Sequence, residues 1–111
     1  MKGRNEIREV FTRGKSVGCK GAKLFMLKND LPRNRICFTF SRGFGNAVER
    51  NRARRLGREV YRNLKPRLKC GYDLILLVYP EETGSTHVGQ PTFDGRMDQL
   101  QYLFTRAGLL L

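Results

Sequence analysis

The stretch from Asn46 to Pro66 constrains this chain more than any other part of it. Asn46 is a preferred helix N-cap. Glu49 stands three residues on, where its carboxylate can reach back to the Asn46 amide and close a capping box. Pro66 lacks the amide hydrogen that a helix interior needs, so the helix stops there. The spacing predicts a helix over about Ala47–Lys65. On a wheel of about 100° per residue, Ala53, Leu56, Gly57, Val60 and Leu64 gather on one side. Asn51, Arg54, Arg55, Arg58, Arg62 and Lys65 gather opposite. Such a helix needs a surface on which to bury its apolar side, and burying that side projects a basic ribbon outward. The ribbon covers about 14 residues, or roughly 20 Å at 1.5 Å per residue.

The flanking segments supply the surface. Ile7, Val10 and Phe11 fall at helical spacing in a basic segment, predicting a short helix over about residues 4–13, ended by Gly14. Ala22, Leu24 and Met26 alternate with their neighbours, as do Ile36, Phe38 and Phe40, predicting two strands with the turn Asn29-Asp30-Leu31-Pro32 between them. A shorter strand is expected around Lys15-Ser16-Val17. Asp73 to Val78 is an apolar run bounded by Gly71 and Pro80, the pattern of a buried strand. Residues 80–96 read as a polar loop. A last helix is expected over about 97–107, with Met97, Leu100, Leu103, Phe104 and Ala107 on one side. The sum is an α+β fold, a two-layer sandwich of one sheet with helices packed on it, in a single domain over residues 1–111.

Charge narrows the function. Residues 1–69 carry 20 bases against 5 acids, whereas residues 70–111 carry 2 against 5, within a formal net charge of +12. Self-repulsion on this scale destabilises the free protein and is relieved by a polyanion. Within the long helix only Glu49 and Glu59 oppose the arginines. Guanidinium groups grip phosphate oxygens in pairs and stack on bases, so the preference for arginine points to nucleic acid. A membrane partner is disfavoured, because no long apolar span and no basic helix with a broad aromatic face is present.

Side-chain catalysis is also disfavoured. The sole histidine, His87, lies in the polar loop, and Asp94 and Asp98 are an isolated pair in an acidic tail. Cys19, Cys37 and Cys70 are odd in number and far apart, which argues against a zinc site or a disulfide framework and for buried or half-buried free thiols. No targeting segment is recognised, so the expected location is the cytoplasm.

The run Gly45-Asn46-Ala47-Val48-Glu49-Arg50-Asn51-Arg52-Ala53-Arg54-Arg55-Leu56-Gly57-Arg58-Glu59 resembles the signature of the bacterial ribonuclease P protein subunit family. The segment Val10 to Ser16 is similar to that family's first helix and turn, Ile36 to Ser41 to the strand before its signature, and Gly71-Tyr72-Asp73 to the start of its next strand. Arg106-Ala107-Gly108-Leu109 is similar to its C-terminus. The resemblance implies an α-β-β-β-α-β-α order with a left-handed crossover at the long helix, against the usual right-handed preference. It implies an accessory subunit of an endoribonuclease, with the catalytic RNA of ribonuclease P and precursor tRNA as partners and no obligate protein partner. The RNA would perform the hydrolysis with magnesium, and the protein would contribute no catalytic residue and bind no cofactor.

Position by position, the resemblance places Arg50, Asn51, Arg52, Arg54, Arg55 and Arg58 near the catalytic RNA, with Arg62 extending the same polar side. It places Ile7, Phe11 and Phe25 in a cleft for the single-stranded 5′ leader. Lys23 shares a strand face with Phe25, and a base beside an aromatic ring suits single-stranded RNA. The chain departs from the pattern at Gly43 and Tyr79, where basic residues are common, at Ile7, where an aromatic residue is, and at Gly57, inside the helix. A ribosomal-type RNA-binding sandwich would share the arginine helix but would not need the leader cleft. A DNA regulator would need a helix-turn-helix or a dimer seam, and neither is seen.

Overall fold

Side-chain alternation along four strands sorts the molecule to the two sides of one sheet. The computed structural model describes residues 4–79 and 93–110. Helix α1 (Arg4–Arg13) precedes strands β1 (Lys15–Cys19), β2 (Ala22–Lys28) and β3 (Arg35–Phe40). Helix α2 (Ala47–Leu64), a 3-10 turn at Lys65–Arg67, strand β4 (Tyr72–Val78) and helix α3 (Phe93–Arg106) follow. The strands lie in the order β1-β2-β4-β3. β2 is antiparallel to both neighbours, and β3 is parallel to β4, so α2 lies in the connection between two adjacent parallel strands.

Leu24 pairs with Leu76, which pairs in turn with Phe38, and this row faces the helices. It joins Ala22, Leu74 and Val78 in one buried cluster with Val60, Tyr61 and Leu64 of α2 and Leu100, Leu103 and Phe104 of α3. The adjacent row, Phe25–Ile75–Cys37, points the other way. There α1 packs on β2 and β4, and Val10 and Ile75 are fully buried. The expected sandwich is thus formed by the sheet with α2 and α3, and α1 covers part of the opposite side. Cys19 and Cys37 are half-buried as expected, but Cys70 is exposed, in the turn before β4. Among the described residues no helix is long and apolar enough to cross a membrane.

Helix α2 shows how local sequence and packing agree. Asn46 is extended (φ −90°, ψ −177°), its side chain accepts from the Glu49 amide at 2.9 Å, and the Glu49 carboxylate accepts from the Asn46 amide at 3.0 Å. Gly45 has φ +46°, and a Cβ there would run into the Glu49 side chain, so glycine lets the box close. Gly57 is buried against Phe38, where a Cβ would lie 2.7 Å from the ring. The missing side chain lets the helix approach β3, at a cost in helix propensity of about 1 kcal/mol.

One boundary differs from the sequence reading. α3 begins at Phe93, four residues before the expected start, so residues 93–96 are helix and not loop. The rest of that loop, with His87, lies outside the described residues.

Candidate nucleic-acid interface

The arginines of α2 divide by environment. Gly57, Val60, Tyr61 and Leu64 are buried, which turns the other side of the helix outward. Arg50, Arg52, Arg55, Arg58 and Arg62 are exposed, and Arg54 is half-buried. Arg50 donates through Nε to the Phe44 carbonyl at 3.2 Å, tying the entering loop to the helix. Arg62 pairs with Glu59 at 3.2 Å, an exposed contact that contributes under about 1 kcal/mol. Arg55 and Arg58 have no hydrogen bond or ion pair among the described residues. Asn51, Arg54, Arg55 and Arg58 surround a shallow open depression of about 280 Å³. Arg52 and the exposed Val48 line a second beside it with Asn51 and Arg55. Three guanidinium groups and an amide around one concavity can donate to phosphate oxygens from several directions.

The second group of residues lies across the sheet. Phe11 and Phe25 meet edge to face with ring centroids 4.7 Å apart, and the Lys23 ammonium stands 5.3 Å from the Phe25 centroid. Phe11 stays 40% exposed, so its ring is available to a ligand and is not consumed by the core; Val10 provides the buried anchor of α1. Ile7 is half-buried one turn earlier. The structure thus brings together Phe11, Lys23 and Phe25, a cationic and aromatic surface suited to stacking. It places this surface on the opposite side of the sheet from α2 and its arginines.

A third cluster escaped the sequence reading. Arg35 donates Nε and Nη2 to the two carboxylate oxygens of Asp73 at 2.8 and 2.7 Å, and Nη1 to Glu6 at 3.1 Å. Asn29 donates to the same Asp73 carboxylate at 2.9 Å. Burial alone would raise the Asp73 pKa, but the Arg35 fork and the Asn29 amide outweigh it and hold the carboxyl below its ordinary range. The Asp73 hydrogen bonds push Arg35 further up, against desolvation. This cluster joins β3 and β4 to the start of α1 and so fixes the helix that presents Phe11. Its members lie 29 and 38 residues apart, and no local pattern announces such a pair. Among the described residues no three His, Cys, Asp or Glu side chains come together to hold a metal ion.

Comparison with known proteins adds an independent line. The family profile described as Ribonuclease P matches residues 1–108. The ribonuclease P protein component of Natranaerobius thermophilus is 47% identical over 77 residues, covering 69% of this chain and 67% of that one. That of Borrelia duttonii is 41% identical over 83 residues, covering 74% and 73%. The solved RNase P protein from Thermotoga maritima superposes with a TM-score of 0.82 at 25% identity, over 96% of this chain and 94% of the other. The Staphylococcus aureus RNase P protein shares the fold, with a TM-score of 0.80 at 21% identity.

Proposed function

The chain belongs to the ribonuclease P protein family, and from that premise we propose that it binds the catalytic RNA of ribonuclease P through the arginine face of α2 and the 5′ leader of precursor tRNA on the Phe11–Phe25 surface. It thereby assists endonucleolytic removal of the leader, which yields the mature tRNA 5′ end. The catalytic groups belong to the RNA, together with magnesium held there; the protein's residues bind, orient and neutralise. The observation that carries this reading is the pairing of two unlike surfaces on one small body. One is a dense run of guanidinium groups with few acids, suited to the backbone of a folded RNA. The other combines two rings meeting edge to face with a lysine and suits unpaired nucleotides. Held together, they shorten the search by which substrate meets catalyst, which is a gain in proximity and not in chemistry.

The test is cleavage of precursor tRNA by bacterial ribonuclease P RNA at a magnesium concentration too low for the RNA alone. Adding the protein is expected to raise the rate strongly, with the protein alone inactive. A folded protein that binds this RNA but gives no gain would instead support a general RNA-binding role.

A further inference from the structure

Arg54 differs from the other arginines of its face. Its guanidinium carbon lies 5.3 Å from the centroid of the Phe40 ring, and Phe40 packs against Phe44 with centroids 4.7 Å apart. Its Nη1 donates to Asn51 Oδ1 at 2.9 Å. The group is therefore held from two sides, by an aromatic face and by a side-chain carbonyl, and it is half-buried where Arg55 and Arg58 are exposed. One hydrogen of Nη1 is used by Asn51. The remaining donors of the fork have no other partner among the described residues, and Arg54 lines the same depression as Arg55 and Arg58.

We infer that Arg54 is the geometrically specific contact of this face, a preformed fork that takes one backbone phosphate of the RNA, with Phe40 and Asn51 as its positioning residues. This deepens the function proposed above and rests on it. A free arginine loses rotamer freedom when it grips a phosphate, whereas one already held has lost most of that freedom on folding. Its planar donors match phosphate oxygens in pairs, which a lysine ammonium cannot reproduce. Arg55 and Arg58, exposed and unheld, supply charge that follows the RNA.

The proposal separates charge from shape. Arg54→Lys keeps the charge and loses the fork, so affinity for ribonuclease P RNA is expected to fall about tenfold further than in Arg58→Lys, with the salt dependence of both variants unchanged. Phe40→Leu keeps an apolar side chain but removes the ring face, and is expected to weaken binding several-fold. Combined with Arg54→Lys, it should add almost nothing, since both changes break one device. Binding is measured by titration over a range of salt, with thermal unfolding of each variant run alongside so that losses are compared between folded proteins. Equal losses for Arg54→Lys and Arg58→Lys, or additive losses for Phe40→Leu and Arg54→Lys, would overturn the fork while leaving RNA binding intact. If the wild-type protein prefers ribonuclease P RNA no more than an unrelated folded RNA, the functional reading and the fork fall together.

Discussion

Arg35 meets Asp73 and Glu6 at 2.7 and 3.1 Å, whereas Arg55 and Arg58 meet no acid among the described residues. The side chain is the same, and its use is set by where the chain places carboxylates. On the α1 side of the sheet, acids from α1 and β4 converge on one guanidinium and its charge is spent inside the fold. On the outer side of α2 acids are scarce, and the charge is left to attract a partner. Arg35 thus serves the fold and Arg55 and Arg58 are left for binding, while Arg50 and Arg54 also make contacts within the fold.

The largest effect is expected on binding. Replacing Arg54, Arg55 and Arg58 together with alanine should weaken association with the catalytic RNA at least about a hundredfold at moderate salt and make the salt dependence shallower. The thermal midpoint should hold or rise, because like charges are removed; a marked fall would show that this face also holds the fold.

The converse change is Asp73→Ala, which takes away the two-oxygen partner of Arg35, leaves it Glu6, and should lower stability by about 3 kcal/mol in denaturant unfolding. Because the folded pKa of Asp73 is lowered, its contribution is complete above the ordinary aspartate value of about 4 and is lost as pH falls through the folded value. The gap in stability between wild type and Asp73→Asn should therefore narrow below about pH 4. A gap that stays constant in acid would mean that Asp73 is not held ionised by Arg35.

The Phe11–Phe25 surface gives a smaller effect. Phe11→Ala or Phe25→Ala should weaken precursor tRNA relative to mature tRNA by about 1 to 2 kcal/mol in the assembled ribonucleoprotein. Equal losses for both tRNAs would count against a leader site. Smallest, Gly57→Ala should destabilise the fold by about 1 kcal/mol, the clash with Phe38 outweighing the better helix propensity. A neutral or stabilising result would show that Phe38 moves aside.

Local signals carried much of this architecture. Asn46, Glu49 and Pro66 bracketed α2, and the 3.6-residue spacing of Ile7, Val10 and Phe11 located α1. The start of α3 was harder to read: Phe93 stands four residues before Met97 at helical spacing, but Asp94, Gly95 and Arg96, close after Pro91, have the composition of a loop. The side of the sheet that α1 occupies is a tertiary choice made by Val10 and Ile75, distant in the chain. The polar ribbon of α2 could be read from the wheel, but the distinction of Arg54 could not. It depends on Phe40, which reaches the helix only once β3 is in place. Tyr61 reads as neither core nor ribbon by composition, and its burial follows from its contact with Phe104 of α3.

The seat of Gly57 on Phe38 has a consequence beyond stability. The sheet is a partition with an arginine helix on one side and the Phe11–Phe25 surface on the other. How deeply α2 settles on β3 sets how far apart those two surfaces stand. The missing methyl group at position 57 thus works as the stop of a calliper. It fixes the gap between the two surfaces, so under the proposed function a bulkier side chain there would misalign the two RNA segments even with every residue of both surfaces unchanged.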